Sequence, residues 1–149
     1  MLRRWTVGVA ALLVCTVCQA QSSYVGIGAA LTNGVIPLLG VQVGGPVAER
    51  LEVRGTLDSV FFVTDLGLDL LYTFPVPGTA LEGHIGGGPD VIPLFINSSE
   101  LWLAVHTTAG LEYLTGSVGI YGELQPLLPL FGIGAPVFIK TRAGVNFYF

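Results

Sequence analysis

The sequence predicts an all-β fold, an eight-stranded antiparallel up-and-down transmembrane β-barrel, and three observations predict it. Apolar residues recur at every second position in segments separated by Gly, Pro, Asn and Ser, which places them on one face of each strand. Only 11% of the residues are charged, and the mean hydropathy is +0.73. Beyond residue 20 no apolar run is long enough to span a bilayer as a helix. A closed barrel is the remaining membrane architecture that satisfies every backbone polar group.

The first four strands are predicted from apolar residues two positions apart, with turn residues between the runs. Each segment, with its apolar face in parentheses, is as follows: Ser23–Leu31 (Val25, Ile27, Ala29, Leu31), Val35–Gly44 (Leu39, Val41, Val43), Leu51–Ser59 (Leu51, Val53, Leu57) and Thr64–Phe74 (Leu66, Leu68, Leu70, Tyr72, Phe74). Asn33-Gly34 resembles a two-residue hairpin turn. The alternation on either side nevertheless requires a loop of odd length or a bulge.

The last four strands follow the same rule, and the final one is the most regular. They are Ala80–Gly88 (Leu81, Ile85), Leu101–Tyr113 (Leu101, Leu103, Val105, Ala109, Leu111, Tyr113), Val118–Gln125 (Val118, Ile120, Leu124) and Val137–Phe149 (Val137, Ile139, Thr141, Ala143, Val145, Phe147, Phe149). The last strand is uncharged on one face and ends on aromatic residues, which favour the boundary between membrane and water. Eight strands form the smallest membrane barrel.

The charged residues provide a check on the faces. Ten of them fall opposite the aliphatic face, namely Glu52, Arg54, Asp58, Asp65, Asp69, Glu82, Glu112, Glu123, Lys140 and Arg142. The other four charges beyond residue 20 are assigned to turns or their edges, namely Glu49, Arg50, Asp90 and Glu100. The charged face, which is also rich in glycine, is therefore predicted to line the lumen.

An ion-pair network is the predicted content of this lumen, because buried charges must be paired and hydrogen-bonded. Its predicted members are Glu52, Arg54, Asp69, Glu123, Lys140 and Arg142. Counting from the hairpin centres places Arg54 near Asp69 and Glu123 near Lys140. The interior of an eight-stranded barrel is just wide enough for side chains, which disfavours a porin-like pore. Passage of protons or ions is the alternative use of these residues.

The alternating strands and the terminal AGVNFYF resemble those of small eight-stranded bacterial outer-membrane proteins, the family of the OmpA transmembrane domain and OmpX. The resemblance covers residues 21–149 and implies a bacterial outer-membrane location, with outer-membrane lipid around the barrel. It also implies that both termini lie on the periplasmic side. The family's motifs specify a fold and a location, so no catalytic residue is carried over. The chain ends at Phe149, so the periplasmic peptidoglycan-binding domain of OmpA-type proteins is not expected.

Residues 1–20 are predicted to be a cleavable signal peptide. Leu2-Arg3-Arg4 is basic, an apolar run extends from Trp5 to Cys18, and Ala20 precedes the predicted cleavage site. The mature chain, 21–149, would then form a single barrel domain. Both cysteines, Cys15 and Cys18, lie in the signal. No disulfide framework or thiolate zinc site is therefore expected.

Composition and spacing argue against several other functions. The basic residues after residue 20 are few, so a nucleic-acid partner is excluded. His84 and His106 are predicted to face inward, roughly opposite each other, with Glu82 nearby. Two histidines without a third firm ligand are weak evidence for a metal, and neither a metal nor a cofactor is predicted. A soluble lipocalin-like carrier would need charges outside and aliphatic residues inside.

The predicted outward connections carry apolar clusters, and the longest connections are placed near Pro89–Ser99 and Pro126–Pro136. Because proline cannot donate to a ladder, these clusters are expected at strand ends or bulges. The predicted contact residues are Leu94, Phe95, Leu130 and Phe131. They would either extend the lipid-facing girdle or form an apolar crown that binds a protein or lipid partner. The primary hypothesis is a structural or surface-interaction barrel. The alternative is a lipid-modifying enzyme on the same scaffold, with a Ser/His/acid cluster at the outer rim.

Overall fold

The structure is a computed structural model, which describes residues 22–60, 63–94, 100–131 and 137–149. These residues form eight β-strands: β1 (Tyr24–Thr32), β2 (Ile36–Ala48), β3 (Leu51–Val60), β4 (Val63–Pro75), β5 (Leu81–Leu94), β6 (Glu100–Thr115), β7 (Val118–Phe131) and β8 (Phe138–Tyr148). None of the described residues belongs to a helix long and apolar enough to cross a membrane.

The eight strands form one closed antiparallel barrel in sequence order. Closure is made by β1 and β8, whose register runs from Tyr24 opposite Tyr148 to Thr32 opposite Lys140. Each strand therefore has a neighbour on both sides, and no unpaired edge remains. Both ends of the described chain lie at one end of the barrel, called the terminal end below. The last residues of β1, β3, β5 and β7 lie at the opposite end, called the loop end.

The two faces of the wall are inverted relative to a soluble protein. Among the described residues, seventeen polar or charged ones are buried, against seven hydrophobic ones. The outer face carries exposed aliphatic and aromatic side chains on every strand, for example Ile27, Leu70 and Ile120. A soluble carrier would have the opposite arrangement, because exposed charge and buried aliphatic side chains stabilise a fold in water. The face assignment from sequence periodicity is thus confirmed.

The first hairpin turn agrees with the alternation. Thr32 pairs with Ile36, so the loop holds three residues, Asn33, Gly34 and Val35. Asn33 and Gly34 adopt positive φ angles of 51° and 68°, a conformation that Asn and Gly tolerate best. The requirement for an odd loop is confirmed, and the two-residue turn is excluded.

Three strands continue through prolines that the sequence predicts as strand ends, and the first of them, β2, extends past Gly44 to Ala48. β5 continues to Leu94 and β7 to Phe131, so Pro89 and Pro126 lie inside strands and not in connections. Each proline is paired on one side only: Pro89 with Val105 of β6, and Pro126 with Ile139 of β8. Proline has no N–H to give to the other neighbour. A strand can therefore continue through proline when one of its two ladders is interrupted.

Candidate functional site: the lumen network

Charged and polar side chains of the described strands converge in the lumen. Alternation along each strand sends every second side chain inward, and glycines on the same face leave room for the long ones. A Cβ at Gly119 would overlap the Glu112 carboxylate, and one at Gly26 would overlap Asn146 and Gln42. Substitution of these glycines would therefore displace the network that fills the barrel.

Arg54 of β3 is the centre of the first cluster. It is 2% exposed, and its Nε donates to Asp69 Oδ2 at 3.0 Å. Its Nη1 donates to Glu123 Oε1 across the lumen. The expected proximity of Arg54 and Asp69 agrees with their positions opposite each other in the β3–β4 ladder. The contact with Glu123 joins two strands that are not neighbours, so hairpin counting could not reveal it.

Lys140 and Arg142 of β8 form the second cluster around Asp58 of β3. Lys140 Nζ lies 3.3 Å from Asp58 Oδ2 and 2.6 Å from Asp65 Oδ2. Arg142 Nη2 donates to Asp58 Oδ1 at 3.1 Å. The sequence-based placement of Glu123 near Lys140 is wrong, because Glu123 sits opposite Arg142 in the β7–β8 register and Lys140 sits opposite Gln125. Lys140 instead reaches the carboxylates of β3 and β4.

His106 of β6 lies between two aspartates. Its Nδ1 is 2.5 Å from Asp90 Oδ2, and its Nε2 is 2.5 Å from Asp69 Oδ1. Thr108 Oγ1 donates to the same Asp69 oxygen at 3.1 Å. Asp90 was assigned to a turn from sequence, but it is 1% exposed inside β5. Asp90 is an even number of residues from His84 and Gly88, and this spacing could have placed it on the lumen face of the strand.

The two histidines do not face each other, which corrects the sequence-based expectation. The β5–β6 register places His84 opposite Gly110 and His106 opposite Gly88. His84 Nε2 instead lies 3.0 Å from Glu123 Oε1, and Glu82 is exposed at the start of β5. Within the described part of the chain, no group of three or more His, Cys, Asp or Glu residues is arranged to hold a metal ion.

The terminal end of the lumen is acidic and contains a small cavity. Tyr24 donates through its hydroxyl to Glu52, and Tyr148 donates to Glu112 Oε2 at 2.7 Å. Asn146 Nδ2 donates to Glu112 Oε1 at 2.9 Å. These side chains line a cavity of about 160 Å³. The predicted network member Glu52 is thus held by a tyrosine hydroxyl, whereas Arg54, Asp69, Glu123, Lys140 and Arg142 all take part in ion pairs.

The predicted loop-end contact residues fall into two groups. Leu130 and Phe131 end β7 with 52% and 69% of their surface exposed. Leu94 is the last residue of β5, and Phe95 lies outside the described residues. The apolar clusters are therefore continuous with strands, not separate long connections.

Comparison with known proteins identifies the fold. No family model matches the chain, and no curated protein sequence matches it. Among solved structures, the N-terminal β-barrel domain of Pseudomonas aeruginosa OprF is similar with a TM-score of 0.72 at 20% identity, covering 87% of this chain and 98% of that one. Neisserial surface protein A is similar with a TM-score of 0.52 at 12% identity, covering 86% and 95%. The chain has the fold of the small eight-stranded outer-membrane barrels.

Proposed function

We propose that this protein is a structural outer-membrane barrel with a closed lumen, and that its apolar loop end binds a protein or lipid partner. Residues 1–20 would act as the cleaved signal peptide, and 21–149 would span the bacterial outer membrane. The fold of OprF and NspA supports an outer-membrane setting. The apolar outer face supports it independently, because a belt of exposed aliphatic side chains around a closed barrel matches a hydrocarbon environment.

The observation that carries the structural role is the cross-linked lumen. Arg54 ties β3 to β4 and β7, and Lys140 ties β8 to β3 and β4. Between them, Arg142 Nη1 donates to Gln42 Oε1 at 3.1 Å, and Gln42 Nε2 donates to Asn146 Oδ1 at 2.7 Å. Charged side chains that pair with one another across a narrow barrel favour stability and closure over passage of solutes.

A lipid-modifying enzyme is less well supported by the geometry. Such an enzyme would need a nucleophile beside an oriented histidine at the rim that faces the substrate. His84 and His106 are both buried in the lumen and are held by carboxylates. Thr108, which faces the lumen two residues after His106, donates to Asp69 and accepts from Gln125. These groups are engaged in the network.

Fractionation of the native host tests the location. The protein should sediment with outer membranes, and its mature mass should correspond to a chain beginning at Gln21. The folded barrel should migrate differently on gels before and after boiling. Purified protein in planar bilayers should give no stable conductance steps, whereas Arg54→Ala should raise the leak. A soluble, heat-unmodified protein would contradict the membrane assignment, and regular open-channel steps in the wild type would contradict the closed lumen.

Serine substitutions at the loop end test the interaction surface. Leu130→Ser and Phe131→Ser, combined with Leu94→Ser and Phe95→Ser, should abolish binding to a partner or to lipid vesicles and leave barrel stability unchanged. Ile120→Ser, at an equally exposed position of β7 near the terminal end, is the matched control. Loss of stability without loss of binding would assign these residues to the lipid-facing girdle instead.

A further inference from the structure

The β5–β6 hairpin is bordered on both sides by interrupted ladders. The hairpin's own ladder is continuous from Leu81 opposite Tyr113 to Leu94 opposite Glu100. The β4–β5 ladder lacks paired residues where Leu68–Asp69 face Gly88–Pro89. The β6–β7 ladder lacks them where Thr107–Thr108 face Gln125–Pro126. These two interruptions are called the seams below.

Proline accounts for the position of the seams. Pro89 of β5 lies at the first seam and Pro126 of β7 at the second. A residue with an N–H at either position would donate to the neighbouring strand, but proline has no N–H to donate. The β4–β5 ladder is interrupted once more at Thr64–Asp65, nearer the loop end. The other described ladders have no such interruption, apart from a register shift near Pro46. Missing backbone pairing is therefore concentrated at the borders of one hairpin.

Packing from outside does not replace the missing pairing. A cavity of about 780 Å³ lies on the outer wall, lined by residues beside both seams, among them Leu70 and Gly86 at the first and Thr107, Leu124 and Pro126 at the second. Its lining is mostly apolar, so it offers few polar groups to the unpaired backbone. The described connections across the seams are made by lumen side chains.

Lumen side chains make these connections, and His106 is central to them. Gln125 of β7 donates to Thr108 of β6 at 3.3 Å, and Thr108 donates to Asp69 of β4 at 3.1 Å. The His106 ring joins Asp69 of β4 to Asp90 of β5. Side chains thus bridge the second seam directly and hold the hairpin to β4 across the first.

The geometry of His106 requires a proton. A neutral imidazole has one N–H and one acceptor nitrogen, and only the imidazolium can donate to two carboxylates at once. At 2.5 Å on both sides, loss of the shared proton would bring a nitrogen lone pair against a carboxylate oxygen. The charged groups next to this unit include Arg54 of β3, which pairs with Asp69, and Lys140 of β8 and Asp65 of β4, which both interact with Asp90. Glu123 of β7 connects through Gln125 and Arg54.

We propose that the β5–β6 hairpin is a releasable section of the barrel wall. The protonated Asp69–His106–Asp90 unit holds it to β4 across the first seam, the Thr108–Gln125 hydrogen bond holds it to β7 across the second, and loss of the proton loosens it from β4. The direction of the pH dependence follows from the position of His106 between two carboxylates. The unit stabilises the wall while the imidazolium persists, and its contribution disappears as the pH rises and His106 is deprotonated. The rest of the barrel, which has continuous ladders, stays closed.

Hydrogen exchange of the full mature chain, refolded in detergent micelles and measured by mass spectrometry, tests this proposal. Between about pH 6 and about pH 10, a range in which imidazole loses its charge, exchange of the paired amides that flank the first seam should accelerate roughly tenfold or more after correction for intrinsic rates. Peptides from β1 and β2, whose mutual ladder is continuous, should not change. His106→Gln should exchange rapidly at both pH values.

His84→Gln is the matched control, because His84 is the other described lumen histidine and its Nε2 contacts Glu123, outside the Asp69–His106–Asp90 unit. This variant should keep the wild-type response to pH. If His106→Gln does not refold, Asp90→Asn replaces it, since it removes one of the two carboxylates and should flatten the response. A wild-type first seam whose flanking amides remain protected at high pH would overturn the proposal. So would an unchanged pH response in His106→Gln or Asp90→Asn.

Discussion

Removal of Arg54 is the most informative single perturbation of the barrel. Its guanidinium is buried and contacts two carboxylates on different strands, Asp69 and Glu123. Breaking a buried ion pair by removing one partner costs roughly 3–5 kcal/mol. Both carboxylates retain other donors, His106 for Asp69 and His84 for Glu123. We therefore expect Arg54→Leu to lower the free energy of unfolding by about 3 kcal/mol, the lower end of that range.

Asp69→Asn provides the second arm of a double-mutant cycle. This change leaves Arg54 with Glu123 but also removes one carboxylate from His106, so it should cost at least about 2 kcal/mol, the value of one hydrogen bond to a charged group. The double variant should be less destabilised than the sum of the single variants, with a coupling of about 1–2 kcal/mol. Reversible urea unfolding in lipid vesicles, followed by circular dichroism, measures all four proteins.

The control cycle pairs Arg54→Leu with Asp65→Asn. Asp65 bonds to Lys140 and has no partner in common with Arg54, so the two changes should add within about 0.5 kcal/mol. A coupling in the Arg54–Asp69 cycle that is no larger than in this control would refute the pairing as a source of stability. A loss below about 1 kcal/mol for Arg54→Leu would show that the cluster is open to water, as exposed ion pairs are.

Two further predictions concern the wall. Val41→Arg, at mid-height on the lipid-facing side of β2, should lower the free energy of unfolding in lipid vesicles by roughly 2–4 kcal/mol. Val47→Arg, near the end of the same strand, should lower it by about 0–1 kcal/mol. Equal losses would contradict the assigned membrane depth. Gly28→Ala would place a Cβ 2.6 Å from the Ala143 carbonyl oxygen and should cost about 1–3 kcal/mol. Gly122→Ala meets nothing within 4 Å and should be neutral in the same urea titration.

Local periodicity was sufficient to predict the fold class, the strand number and the direction of nearly every side chain. A strand alternates its faces whatever its neighbours are, so Val41 and Arg54 could be assigned to opposite sides of the wall from sequence. Hairpin counting extends this to adjacent strands, because a short turn determines which residues face each other. The sequence could therefore predict that Arg54 lies opposite Asp69. It could also predict the odd length of the Asn33–Val35 loop.

Tertiary structure decided everything that depends on closure of the barrel. The contacts of Arg54 with Glu123, of Lys140 with Asp58 and of His106 with Asp69 join strands that are not neighbours. Their heights depend on the stagger accumulated around the whole barrel, which no local pattern contains. Proline was misread for a related reason. Its missing N–H interrupts one ladder while the other continues, and only the arrangement of both neighbouring strands shows which side is interrupted.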